Sequence, residues 1–288
     1  VTISDARNPF GPLGVWLLRS IPTEQLTTVS RAVEGLDYGT IWISGGKDPG
    51  IFDVVETVLD ATERITVATG IVNLWAETPE SVTVAWHRLE DKHPGRLYVG
   101  LGISHKPMVE GLLGLEYTKP LARTREFLDG LDGQPDPLPV DRRLIGALGP
   151  KMLQLSATRT LGAHPYLVTT LNTEQARAEV GDAVVACELG VVLDPDVEVA
   201  RATAREQIAR YFAMPNYTNN WLRSGFTEAD LVDGGSDALV DALVAIGDVD
   251  AIAARVAAHR AAGADHVALQ VLGDDPDYVA AFTALAAV

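Results

Sequence analysis

Short apolar runs rich in Val, Ile and Leu recur along the chain, and each is followed by a segment whose apolar positions fall three and four residues apart. The first pattern is that of strands buried on both faces, and the second that of helices packed by one face. Runs at GVWLL (14–18), TIWIS (40–44), ITVATGIV (65–72), RLYVGLG (96–102), RLIGAL (143–148), AHPYLV (163–168), AVVACELGVVL (183–193) and DHVALQVL (265–272) predict eight strands. Eight strand–helix units predict an α/β fold, a (β/α)8 TIM barrel, with a flat doubly wound sheet as the alternative. Local signals agree: Thr23 after Pro22 offers an N-cap to TEQLTTVSRAVEGL, and Thr78 before Pro79 offers one to TPESVTVAWHRLEDKH.

Two stretches break the spacing. DGLDGQPDPLPVD (129–141) is a loop by composition, and a helical and turn-like insertion runs from about 194 to 247 before the last strand. Apolar residues continue through that insertion, so residues 1–288 read as a single domain. Its aromatics, Tyr211, Phe212, Tyr217 and Trp221, serve either as a lid or as packing against the barrel, and helical spacing favours packing.

Charge and composition narrow the function. The 288 residues carry 39 acidic and 23 basic side chains, a formal charge of −16, which repels phosphate backbones and anionic bilayers. Nucleic acid and membrane partners are therefore not expected, and a small-molecule substrate is. A single cysteine, Cys187, rules out an internal disulfide framework, and no metal-ligand spacing occurs. The opening VTISDARNPFGPLG lacks the features of a signal peptide, so a soluble, cytoplasmic protein is expected.

In a barrel, chemistry collects where strands end and helices begin. GLGISH ends the fourth predicted strand: its glycines let a flat or phosphorylated ligand approach the backbone, with Ser104 and His105 as hydrogen-bonding groups, or it is a plain tight turn. ALGPKMLQLSA follows the fifth, where Lys151 in the first turn of a helix is unfavourable unless an anion lies nearby. Gly70 interrupts a β-branched run ahead of Asn73 and marks either a bulge or an ordinary packing glycine. Of six histidines, His105 and His164 lie at or near strand ends.

Taken together, YGTIWISGG (38–46), ITVATGIVNLWAETPESV (65–82), HPGRLYVGLGISH (93–105), LIGALGPKMLQLSATRTLGAHPYLV (144–168), MPNYTNNWLRSGF (214–226) and AIAARVAAHRAAGADHVALQVL (251–272) resemble the luciferase-like flavin and deazaflavin oxidoreductases, and more narrowly their coenzyme F420-dependent branch. The resemblance implies a barrel holding a tricyclic ring at its C-terminal mouth, with a third-strand bulge, often at a non-prolyl cis peptide, at Gly70, Ile71 and Val72. It implies cofactor contacts at Ser44, Gly70, Ile71, Val72, Asn73, Gly102, Ser104, His105, Ala147, Gly149, Pro150 and Lys151, the last three at the phosphate. One departure stands out: Gly45 and Gly46 occupy the places where many deazaflavin dehydrogenases carry an acid and a histidine. Either another group moves the proton, with His105, His164 and Asn73 as the candidates, or the reaction needs no such base, as in hydride delivery to an activated double bond. The resemblance implies a coenzyme F420-dependent oxidoreductase transferring a hydride to or from a small organic substrate, possible as a homodimer. The alternatives are an FMN-dependent monooxygenase and, given Gly45 and Gly46, a non-catalytic deazaflavin binder.

Overall fold

The computed structural model describes residues 8–46 and 49–288, so the first half of the N-terminal stretch read for a signal peptide, Val1 to Arg7, lies outside the described residues. Its strands are β1 (Leu13–Leu17), β2 (Thr40–Ser44), β3 (Thr66–Gly70), β4 (Val72–Asn73), β5 (Leu97–Gly102), β6 (Arg143–Ile145), β7 (Gly162–Ala163), β8 (Val184–Leu193), β9 (Val244–Gly247) and β10 (His266–Val271). Every pairing is parallel, and the order β10-β1-β2-β3-β5-β6-β7-β8 closes on itself because β8 also pairs β10 from Ala186↔His266 to Val191↔Val271. The fold is the eight-stranded (β/α)8 barrel, not the flat sheet. Helices such as Thr23–Gly35, Ile51–Ala61, Pro79–Lys92 and Val249–Ala261 surround it.

The sequence pattern sets these elements with instructive exceptions. Thr78 caps the helix Pro79–Lys92 through Ser81 in a reciprocal capping box, as expected. Thr23 is instead the first helical residue, with Pro22 in the cap position. The run 65–72 is not one strand: it breaks at a cis peptide between Gly70 and Ile71, after which β4 pairs β5 alone. Of the run 163–168 only Ala163 is in a strand, the second residue of β7, since Pro165 has no N–H for a ladder and Leu167 takes φ +52. The insertion is not strand-free either: β9 lies at its end and pairs the upper half of β8.

The core has three parts. The largest lies between strands and helices, built on residues such as Leu26, Val55, Leu89 and Phe282. A second sits within the insertion, where Trp221 is fully buried beside Ala204, Leu239 and Val240. The third fills the barrel with Phe10, Trp42, Ala68, Tyr98, Leu144 and Ala186. Insertion aromatics thus pack, and two of them also face the barrel mouth, as described below. Among the described residues no helix is long and apolar enough to cross a membrane, and no cluster of His, Cys, Asp and Glu is placed to hold a metal ion.

Candidate active site

The C-terminal strand ends surround a cavity of about 740 Å³, a size suited to a cofactor and a small molecule. One wall is the break in the third strand run. Ile71 projects from it, and its side chain fills the space that Cβ atoms would need at Gly102, where Ile71 Cγ1 would be 2.5 Å away, and at Gly146, where Cγ2 would be 3.4 Å away. The glycines of LYVGLG are therefore first a seat for this bulge. A Cβ at Gly100 would also strike the carbonyl of Thr69.

Gly45 acquires a physical reason from the same geometry. A Cβ at Gly45 would run into the carbonyl oxygen of Ile71, so no side chain fits there while the bulge holds its shape. Gly46 lies under Arg19, with Nη1 2.6 Å from where its Cβ would be. The space of a side chain at 46 is taken by a guanidinium arriving from the end of β1.

The expected site residues divide into three groups. Ser44, Gly70, Ile71, Asn73, Gly102, Ser104, His105, Ala147, Gly149 and His164 all line the cavity. Val72 does not: it is 1% exposed and belongs to the core behind the bulge. Pro150 and Lys151, in the first turn of the helix Pro150–Arg159, are exposed and outside the lining.

The three proton-moving candidates are constrained by their surroundings. Asn73 Nδ2 donates to Gly46 O at 3.4 Å and its Oδ1 accepts from Trp75 N at 3.1 Å, so its amide fastens a turn. His164 is buried and stacks on Trp42 at 4.0 Å between centroids. Its Nδ1 lies 2.7 Å from Ala186 O, which can only accept, so Nδ1 carries the proton and Nε2 a lone pair. Burial depresses its pKa to about 3, and that of His105 to about 4, so both rings are neutral near pH 7.

The lining also holds Trp16, Tyr166 and three arginines, which the sequence pattern did not single out, together with Tyr211 and Tyr217, the insertion aromatics expected as a lid or as packing. Trp16 from β1 places its indole nitrogen 2.6 Å from where a Gly70 Cβ would be. Tyr166, two residues beyond His164, and Tyr211 and Tyr217 of the insertion form an aromatic wall, with Tyr166 and Tyr211 centroids 5.6 Å apart and Tyr217 5.2 Å from His105. Three arginines, Arg19, Arg210 and Arg223, line the cavity, and among the described lining residues there is no aspartate or glutamate. A cation directly following the apolar run of β1 was the one signal in the sequence for Arg19.

A closed parallel barrel with a deep cavity at its C-terminal mouth, walled by a strand break and edged by arginines, defines the class: a (β/α)8 barrel built to hold a ligand of cofactor size. The family model described as luciferase-like monooxygenase matches residues 11–134, somewhat less than half of the chain. Over 117 residues it is 30% identical to a Mycobacterium tuberculosis protein named for coenzyme F420-dependent oxidoreductase activity, covering 41% of this chain and 33% of that protein. It is 26% identical over 212 residues to the 5,10-methylenetetrahydromethanopterin reductase of Archaeoglobus fulgidus, covering 61% of each. The matched region is thus less than two thirds of either relative's own length.

Among solved structures, the fold resembles an F420-dependent secondary alcohol dehydrogenase in complex with an F420-acetone adduct, with a TM-score of 0.73, 14% identity and coverage of 96% of this chain and 99% of that one. It also resembles the oxygenating constituent of 3,6-diketocamphane monooxygenase of Pseudomonas putida in complex with FMN, with a TM-score of 0.67, 14% identity and 96% coverage of both chains.

Proposed function

We propose that this protein is a coenzyme F420-dependent oxidoreductase that transfers a hydride between the deazaflavin and a small organic substrate bound in the cavity. The observation that carries this reading is the charge of the site: in a chain of formal charge −16, the described cavity lining holds three arginines and no carboxylate. Such a lining favours an anionic ligand, and a phosphorylated ring cofactor is one.

The residues fit a flat ring with a charged tail. Gly45, Gly70 and Gly102 leave a wall free of side chains apart from Ile71, which the glycines behind it hold in place. Ser44, Ser104 and the Asn73 amide edge that wall with polar groups, while Trp16, Met108, Met152 and Tyr217 give the cavity apolar surface. Arg223 is fixed at the mouth by Nη2 donating to Asn220 Oδ1 at 2.8 Å and to Leu148 O at 3.4 Å, beside the loop that ends in Gly149. The phosphate would be held there, with Lys151 contributing its charge from the adjoining helical turn. When bound, the deazaflavin supplies the hydride chemistry, and the chain supplies orientation and a dry cavity.

The relatives named for coenzyme F420 support the deazaflavin, whereas the family description and the FMN-bound neighbour support the second reading, an FMN-dependent monooxygenase. Parallel equilibrium titrations of the purified protein with coenzyme F420 and with FMN, read by fluorescence, separate the two. Selective binding of F420 is expected. Selective binding of FMN would replace the proposal by the monooxygenase, and binding of neither would withdraw both. Gly45 has a steric reason of its own in the backbone of Ile71, which leaves Gly46 as the motive for the non-catalytic binder, and turnover of reduced F420 with a carbonyl acceptor would exclude that reading.

A further inference from the structure

A hydride added to a carbonyl needs a proton as well, and the groups expected to move it are poorly placed. His105 and His164 carry no extra proton near neutral pH, and the one N–H of His164 is already donated to Ala186 O. Asn73 does not titrate. The cavity nevertheless contains a connected line of hydrogen bonds that reaches from its mouth to its interior. Arg210 Nη2 donates to the Tyr211 hydroxyl at 2.7 Å, Tyr211 donates to the Tyr166 hydroxyl at 3.1 Å, and Tyr166 donates to Gln270 Oε1 at 2.8 Å. The outer and inner distances are those of ordinary hydrogen bonds, and the Tyr211–Tyr166 contact is slightly long for one between hydroxyls.

The two ends of this line differ. Arg210 is exposed, and its guanidinium also lies over the Tyr211 ring, 4.8 Å from the centroid. Gln270 is 6% exposed and projects from β10. Tyr166 lines the cavity with its ring 5.2 Å from Trp16, the residue whose indole nitrogen abuts Gly70. Tyr166 therefore stands one aromatic ring away from the wall formed by the strand break. Tyr217 lines the same cavity, but Tyr166 is the tyrosine linked through Tyr211 to the mouth.

Gln270 makes the inner end reversible. An amide carries an acceptor oxygen and a donor NH2 on one planar group, and a half turn exchanges them. With the oxygen toward Tyr166, the phenol proton rests on the amide. With the NH2 toward it, the amide donates and the phenol proton is free to go to a ligand in the cavity.

We propose that Tyr166 is the proton donor of this site, giving its hydroxyl proton to the oxygen of a carbonyl substrate, with Tyr211, Arg210 and Gln270 as positioning residues. The inference rests on the hydride-transfer reading above. Its balance is simple. The substrate carbon gains a hydride from the reduced deazaflavin, the C=O π pair moves onto oxygen, and the Tyr166 O–H bond breaks to form the new O–H bond. The phenolate left on Tyr166 takes the Tyr211 proton, and water at the mouth restores Tyr211, whose transient negative charge meets the Arg210 guanidinium. Burial raises the Tyr166 hydroxyl well above its ordinary range, so the proton stays until negative charge develops on the acceptor. The nearby Glu188, pushed up to about 8 by burial, is uncharged at neutral pH and does not oppose charge on the tyrosine.

The test uses a stand-in for the developing oxyanion that needs no cofactor. 4-Nitrophenolate and the neutral nitrobenzene are titrated against the purified protein and its Tyr166→Phe variant, with F420 titrated alongside. Tyr166→Phe should weaken 4-nitrophenolate roughly tenfold, as the loss of a hydrogen bond to a charged acceptor does, while leaving nitrobenzene and F420 unchanged. With reduced F420 and cyclohexanone the same variant should be slower by about 100-fold or more. Equal affinity of both proteins for 4-nitrophenolate would overturn the proposal, and so would an equal loss of nitrobenzene binding, which would make Tyr166 a packing residue. If the wild-type protein binds 4-nitrophenolate through Tyr166 but does not bind F420, the cofactor reading fails, and Tyr166 stands as an oxyanion-binding group without the proton-donor role.

Discussion

Two polar lines run through the inside of this barrel, one near its floor and one at its mouth. At the floor, Trp42 Nε1 donates to His266 Nε2 at 3.0 Å, and His266 Nδ1 lies 2.8 Å from the carbonyl of Gly11. Trp42 and His266 are both fully buried, and the line ends on a backbone carbonyl that can only accept. At the mouth, Arg210, Tyr211 and Tyr166 end instead on the Gln270 amide, which can accept or donate. The chemistry of the groups is similar, but the ends differ. A line closed by backbone has one arrangement and serves stability, whereas a line closed by an amide has two and can serve a ligand.

The sharpest way to break this comparison is to remove one member from each line. Trp42→Ala takes out a fully buried indole that stacks on His164 and satisfies His266, and should lower unfolding free energy by about 3–5 kcal/mol. Tyr166→Phe removes a hydroxyl from the lining of a wide cavity, where water replaces its partners, and should cost only about 1 kcal/mol. Urea denaturation of both variants checks the contrast, and equal losses would show that the mouth line is as structural as the floor.

A second difference concerns charge. Glu188 projects from β8 beside the mouth line, 1% exposed, with Oε2 accepting from the backbone N–H of Leu167 at 2.9 Å. That bond holds a residue at φ +52, which side chains other than glycine rarely adopt. Burial raises the carboxyl from its usual 4.5 to about 8. Below the ordinary value it is neutral in folded and unfolded chains alike. As pH rises from about 4.5 to about 8 only the unfolded chain ionises, so stability falls by about 1.4 kcal/mol per pH unit; above that both ionise and the slope ends. Glu188→Gln should remove this slope. Urea midpoints at about pH 5 and about pH 7.5 test it, and identical pH dependence in both proteins would mean that the carboxylate is solvated or paired in the folded state.

The barrel was legible in the sequence because eight buried parallel strands leave eight short runs rich in apolar residues, and no tertiary detail is needed to see them. The break at Gly70 was legible only as an interrupting glycine. Its consequences were not, since the reasons for Gly45, Gly100 and Gly102 are contacts with Thr69 and Ile71, distant in the chain or on another strand. Glycine spacing suggested a cradle for a ligand, while the glycines chiefly seat a neighbouring strand. Tyr166, Tyr211 and Gln270 were invisible as a group for the same reason: they come from a loop after β7, from the insertion and from β10, and only closure of the barrel joins them.

The smallest effect is expected at the rim of the mouth, where two cations compete for one role. Lys151 opens the helix Pro150–Arg159 and is exposed outside the cavity lining, whereas Arg223 is in the lining and held by Asn220 and Leu148. A guanidinium already fixed in place loses little entropy on meeting a phosphate, and such a contact is worth about 1.5–3 kcal/mol. An exposed, mobile ammonium gains less than about 1 kcal/mol and is screened by salt. Arg223→Ala should therefore weaken F420 more than tenfold and Lys151→Ala about threefold or less, with both effects fading as salt is raised because both side chains are exposed. The opposite order would move the phosphate from the insertion side of the mouth to the first turn of that helix, and with it the direction in which the cofactor enters the barrel.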